Sequence, residues 1–113
     1  MQNAEIRFFE FGEFRLDARR RILLKNNSPI QIQNRHFELL LALIENEGRI
    51  LSQDELIDKV WDGAFIEQSN LKKGISALRQ ILGESPTAGE YIKTVPRKGY
   101  SFVAPVRAFS DEE

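Results

Sequence analysis

An α+β fold follows from three features of this 113-residue sequence. Short runs of alternating apolar and polar residues fill positions 6–32, the period of half-buried strands. Three stretches with helical periodicity follow, near 34–47, 52–61 and 69–82. Two more alternating runs, 91–95 and 100–104, flank a tight basic turn. Together they predict a four-stranded antiparallel N-terminal sheet, three helices and a C-terminal β-hairpin. One face of the sheet is expected to pack on the helices.

The length suits one domain with a modest core, placed at 1–109, with 110–113 as an acidic tail or the start of a linker. No apolar run approaches the roughly 20 residues that cross a bilayer, and Met1–Glu5 lack signal-peptide character. A cytoplasmic module without membrane contact is the expectation. There is no cysteine, which removes disulfides and thiolate metal sites. No metal-ligand spacing or glycine-rich phosphate loop is present either, so neither metal nor cofactor is expected. Net charge is −1, but unevenly spread: −3 over 1–67, +5 over 68–109 and −3 over 111–113. The cationic part is where a polyanion would be met, and the acidic part restrains indiscriminate binding.

In chain order, Phe9, Phe11, Phe14 and Leu16 alternate with polar neighbours across a Gly12-Glu13 turn. Ile22-Leu23-Leu24-Lys25 is a third strand. Asn26-Asn27 makes a tight turn, because asparagine tolerates positive φ. Pro29–Ile32 is a fourth strand, with proline near its start. Arg19-Arg20-Arg21 reads as a solvated turn rather than a binding patch.

Phe37, Leu40, Leu41 and Ile44, widened by Leu39 and Leu43, form a broad helical stripe that needs two packing partners. Asn34 or Gln33 starts this helix and Gly48 ends it. His36, the only histidine, has no apparent chemical partner. Ser52 and Glu55 form a capping box for the second helix, which runs through Leu56, Val60 and Trp61 to a break at Asp62-Gly63. Capping and the helix dipole account for Asp54 and Glu55 without acid–base chemistry.

The third helix has Leu71, Ile75, Leu78 and Leu82 at spacings of 4, 3 and 4. Ser69, Lys72, Lys73, Ser76 and Gln80 lie opposite, with Arg79 at the edge, and Gly83 terminates the helix. That outer face carries cations and no carboxylate. Helix, loop and cationic helix in this order match a helix-turn-helix with a long turn. The doubly basic turn Pro96-Arg97-Lys98-Gly99 then reads as a wing. The class is therefore a winged helix-turn-helix, with double-stranded DNA as the expected partner. The third helix enters the major groove, and Arg97 and Lys98 reach the backbone or minor groove.

The chain resembles the OmpR/PhoB-type winged-helix DNA-binding domains of bacterial transcription regulators from about Phe11 to Val103. The resemblance is carried by Phe14-Arg15-Leu16-Asp17, Phe37-Glu38-Leu39-Leu40, Leu51-Ser52 through Val60-Trp61, Leu78-Arg79 within 71–82, Tyr91–Val95 and Gly99–Phe102. It implies base-edge contacts at Ser69, Asn70, Lys72, Lys73 and Ser76, and backbone contacts at Trp61, Arg79 and Thr94. Relatives commonly bind direct repeats as two copies, and their inter-helix loop can touch RNA polymerase. The wing sequence is similar to the ToxR/CadC-like variant, which lacks a preceding receiver domain. That variant implies the cytoplasmic domain of a longer, membrane-anchored regulator.

Some residues depart from the pattern. Ser76 and Ala77 stand where many relatives have arginine, which predicts weaker binding by one copy. Gly74 lies mid-helix, where it costs about 1 kcal/mol relative to alanine. It serves either close approach to DNA or helix packing. The rival to DNA binding is a winged helix used for protein contact, anchored by Phe65-Ile66 in loop 62–68. An enzyme is disfavoured: a serine nucleophile would depend on His36 alone.

Overall fold

The computed structural model describes residues 6–61, 66–84 and 90–110. The proposed helix break at Asp62-Gly63, the anchor Phe65, the polar loop 85–89 and the tail 111–113 lie outside the described residues. The chain divides into two compact units, one from residues 1–32 with 105–113 and one from 33–104.

The first unit is an antiparallel sheet of β1 (Phe8–Phe11), β2 (Phe14–Asp17), β3 (Ile22–Lys25), β4 (Ser28–Ile30) and β7 (Arg107–Phe109), in the order β4-β3-β2-β1-β7. The alternation produces one buried face of Phe9, Phe11, Phe14, Leu16 and Leu23. Asn26 and Asn27 both adopt positive φ, at 50° and 68°, as a two-residue hairpin demands. Pro29 sits on the edge strand, where a missing N–H breaks no ladder. The sheet has five strands, not the expected four. β7 pairs along β1, with Phe8 opposite Phe109 and Glu10 opposite Arg107. The two phenyl rings stack at 5.2 Å. Ser110, assigned above to the tail, is buried.

Asp17 organises the turn after β2. Its carboxylate takes a two-pronged bond from Arg7, both at 3.0 Å, and accepts the backbone N–H groups of Arg19 and Arg20. The three arginines thus belong to a carboxylate-capped turn and remain solvent-exposed. Burial works to raise the Asp17 carboxyl, but the Arg7 bond, the two N–H donors and the Arg7 charge together hold it below its ordinary 3.8.

The second unit contains α1 (Asn34–Glu45), α2 (Gln53–Trp61), α3 (Gln68–Ile81) and a hairpin of β5 (Ile92–Val95) and β6 (Gly99–Phe102). α1 buries Phe37, Leu39, Leu40, Leu43 and Ile44, touching α2, α3 and β6. Gln33 is its N-cap and makes no side-chain capping bond. The Ser52 box forms as expected: Ser52 Oγ accepts from Glu55 N–H and Glu55 Oε1 accepts from Ser52 N–H, each at 3.0 Å.

Gly74 is buried, and a Cβ there would lie 2.9 Å from Leu39 Cδ2. Of the two roles left open for this glycine, helix packing is the one realised. The hairpin is held from both sides. β6 pairs with β5, and its Tyr100 exchanges backbone bonds of 2.8 and 3.0 Å with Leu51. Phe102 O accepts a further bond from Gly48 N–H. The backbones come so close that a Cβ on Gly99, at φ +145°, would stand 1.9 Å from Leu51 O.

Two outcomes follow. Gly99→Ala is expected to destabilise by at least about 2 kcal/mol, since neither its φ nor a backbone oxygen can yield cheaply; thermal unfolding followed by circular dichroism measures it. Asp17→Asn is expected to cost roughly 1–3 kcal/mol at neutral pH. Because the folded carboxyl titrates below its unfolded value, that stabilisation is complete above 3.8 and disappears as pH falls through the folded value. The gap between wild type and variant should therefore begin to narrow near pH 3.8 and close only once the pH is below the folded value. A gap that persists into strong acid would deny the charge its role.

Candidate nucleic-acid interface

α3 turns its leucine stripe inward: Leu71, Ile75, Leu78 and Leu82 are all buried. At about 100° per residue, the opposite side is fixed by that burial. Ser69, Lys73, Ser76 and Gln80 occupy an arc of about 60° centred on solvent, and all are exposed. Gln68, Lys72 and Arg79 share one flank. Asn70 lies on the other flank, exposed, toward the side where Gly74 meets α1. The sequence-predicted contacts on this helix thus divide into a central group (Ser69, Lys73, Ser76), a wing-side residue (Lys72) and a residue on the far flank (Asn70). No acidic residue occurs between Gln68 and Ile81.

The wing tip lies on the same side of this unit as the start of α3. Gln68, Arg97 and Lys98 line one open cleft of about 330 Å³ with Gln53 and Asp54 from the start of α2. Arg97 and Lys98 are exposed at the tip, and Lys98 N–H closes the turn onto Val95 O at 3.0 Å. Arg97 adopts φ +68°, a conformation that costs a non-glycine residue about 1–3 kcal/mol. The charge is kept despite that strain. Asp54 on the cleft wall makes the local field mixed rather than uniformly positive.

Three predicted backbone-contact residues, Arg79, Thr94 and Trp61, are engaged within the protein. Arg79 donates Nε to Glu84 at 3.3 Å and Nη2 to Ile92 O and Thr94 Oγ1 at 2.8 and 2.9 Å. Its side chain is only 13% exposed, and that of Glu84 is fully buried. Thr94 is itself exposed. Trp61 is half-buried at the end of α2, with the Arg35 guanidinium 5.6 Å from its ring centre. Arg35 also donates to Val60 O at 2.6 Å, which caps α2. Tyr100, beside this network, has its hydroxyl pushed up by burial while the Arg79 charge pulls it down.

Three residues of this region had no assigned contact in the sequence. Gln80 was legible as outward-facing from periodicity. Gln68 lay at an uncertain helix boundary. Glu84 looked like part of a polar loop, and an acid just beyond a terminating glycine, five positions after an arginine, was its only signal. Among the described residues, no cluster of three or more His, Asp or Glu side chains is arranged to hold a metal ion, and no helix is long and apolar enough to cross a membrane.

Comparison with known proteins agrees with this geometry. The family model for "Transcriptional regulatory protein, C terminal" matches residues 27–102, more than half of the chain. The transcriptional activator CadC of Escherichia coli (strain K12) is 34% identical over 90 residues, covering 79% of this chain and 18% of that protein. The solved DNA-binding domain of E. coli CadC superposes with a TM-score of 0.79 at 28% identity, covering 95% of this chain and all of that one. The Klebsiella pneumoniae RstA DNA-binding domain, solved in complex with the RstA box, gives 0.77 at 26% identity, covering 85% of this chain and 96% of that one. The present chain thus spans under a fifth of the length of the curated relative. These are DNA-binding regulatory domains and not enzymes, and by fold, sequence and the disposition of helix and wing this chain belongs to the OmpR/PhoB-type winged-helix family.

Proposed function

We propose that this chain binds double-stranded DNA sequence-specifically as the DNA-reading module of a transcription regulator. α3 occupies the major groove, and the tip at Arg97 and Lys98 lies on the backbone or in the adjacent minor groove. One observation carries the reading: Gln68, on the flank of a helix that bears no carboxylate, lines one cleft with the basic wing tip Arg97 and Lys98. Family membership supports the partner, since the RstA domain was solved on its DNA box.

Within this reading, Lys73 and Ser76 face base edges, Ser69 and Asn70 read near the helix start, and Lys72, Arg97 and Lys98 neutralise phosphates. Asparagine suits adenine because its amide can donate and accept in one plane. The α3 N-terminus adds its positive dipole end. A single small module binds modestly, so two copies on repeated half-sites would gain through effective concentration. The module would act in the cytoplasm as one part of a longer regulator. Contact with RNA polymerase through loop 62–68 is the second reading; of that loop only Ile66, Glu67 and Gln68 are described, and Ile66 is half-buried.

Fluorescence anisotropy tests the first reading. With Lys73 and Arg79 also within reach of the backbone, about five cations neutralise phosphates, and log K should fall against log salt with a slope of roughly −4 to −5. Replacing Arg97 and Lys98 by alanine should weaken binding to every sequence and make that slope shallower by about 2. An unchanged slope would remove the wing from the interface. Asn70→Ala should cost about 1–3 kcal/mol on a selected site and little on random DNA. Equal losses on both would deny Asn70 a base-reading role.

A further inference from the structure

We propose that Glu84 is a positioning residue for DNA binding, tying α3 to the wing through Arg79 so that both grip the duplex as one rigid unit. This inference rests on the DNA-binding reading above.

The Glu84 carboxylate is fully buried, and a buried carboxylate persists only when donors surround it. Its Oε1 accepts the backbone N–H groups of Tyr91 and Ile92, at the entrance to β5. Its Oε2 accepts Arg79 Nε, from the last turn of α3. Arg79 then continues to Ile92 O and to the Thr94 hydroxyl on β5. A single carboxylate therefore joins the end of α3 to the first wing strand.

The guanidinium is planar and its donors are fixed relative to one another. With Nε and Nη2 engaged, its orientation is set, and Nη1 has no partner among the described residues. The family resemblance already implies backbone contacts at Arg79 and Thr94; what Glu84 adds is to hold the guanidinium beside the exposed Thr94 hydroxyl. A phosphate bound there touches α3 and β5 together. Arg79 lies on the same flank of α3 as Lys72 and Gln68, and Gln68 borders the wing tip. Two elements that must match one duplex need such a tie, because small misplacements forfeit short polar contacts.

The fold does not hang on this tie alone. β6 remains bonded to Leu51 and Gly48 from its other side. Loss of the Glu84 charge should loosen wing from helix while leaving the unit folded.

The test is a double-mutant cycle on the full chain, read by anisotropy on a selected duplex. Glu84→Gln keeps the size but turns an amide toward Arg79. Its affinity should fall roughly tenfold. The penalty of alanine at Arg97 and Lys98 should shrink several-fold in that background, which lost stability alone would not produce. If Glu84→Gln does not fold by circular dichroism, Thr94→Val is read in the same cycle; it should shrink the wing penalty, and Thr94→Ser should restore it. A folded Glu84→Gln that binds like wild type, or a wing penalty unchanged in whichever background is read, overturns the tie while leaving DNA binding intact. Absence of any salt-sensitive complex with the wild-type chain overturns both.

Discussion

Burial of Leu71, Ile75, Leu78 and Leu82 is the constraint on which the functional geometry of this protein depends. Removing those side chains from water, at about 1.5–3 kcal/mol each, decides which side of α3 faces outward. Everything proposed about recognition inherits that choice. The close approach of α1 sharpens it: Leu39 fills the space where a side chain on residue 74 would lie. Pressed against α1 at a glycine, α3 holds Ser69, Lys73 and Ser76 outward together.

The wing is located by a different kind of force. Its strands are short, and a two-stranded hairpin alone is marginal in water. Backbone bonds on both sides of β6 compensate, from β5 on one and from Gly48 and Leu51 on the other. Leu51 directly precedes the capped start of α2, so the wing and α2 share an attachment. Residues of α2, α3 and the wing consequently line one cleft, although they lie far apart in sequence. Electrostatics enters last. It supplies attraction and salt dependence, but the apolar and backbone contacts determine where the charges stand.

What could be read from the sequence is what local physics determines. The leucine stripe of α3, the Ser52–Glu55 box, the Asn26-Asn27 turn and the basic hairpin tip each depend on residues within a few positions of one another. The features that escaped depend on distant partners. β7 has three residues, and its pairing with β1 brings Arg107 against Glu10 across 97 positions. The Leu51–Tyr100 bridge joins a loop to a strand half a chain away. Glu84 is an unremarkable loop acid until β5 folds over it. Gly74 is an instructive middle case: the sequence left packing and DNA approach equally open, and the proximity of Leu39 decides for packing. The same limit applies to the interface. Periodicity identified the outward residues of α3, whereas the internal engagement of Arg79 required the tertiary structure.

The most direct test of the account is a titration of the ¹⁵N-labelled chain with duplex DNA, followed by amide chemical shifts. Amides of the outer α3 face from Ser69 to Gln80 and of Arg97 and Lys98 should move together and saturate at the same duplex concentration. Those of β2 and β3 should stay in place. Perturbation of the wing without α3, or shifts confined to the strands of the N-terminal sheet, would contradict it.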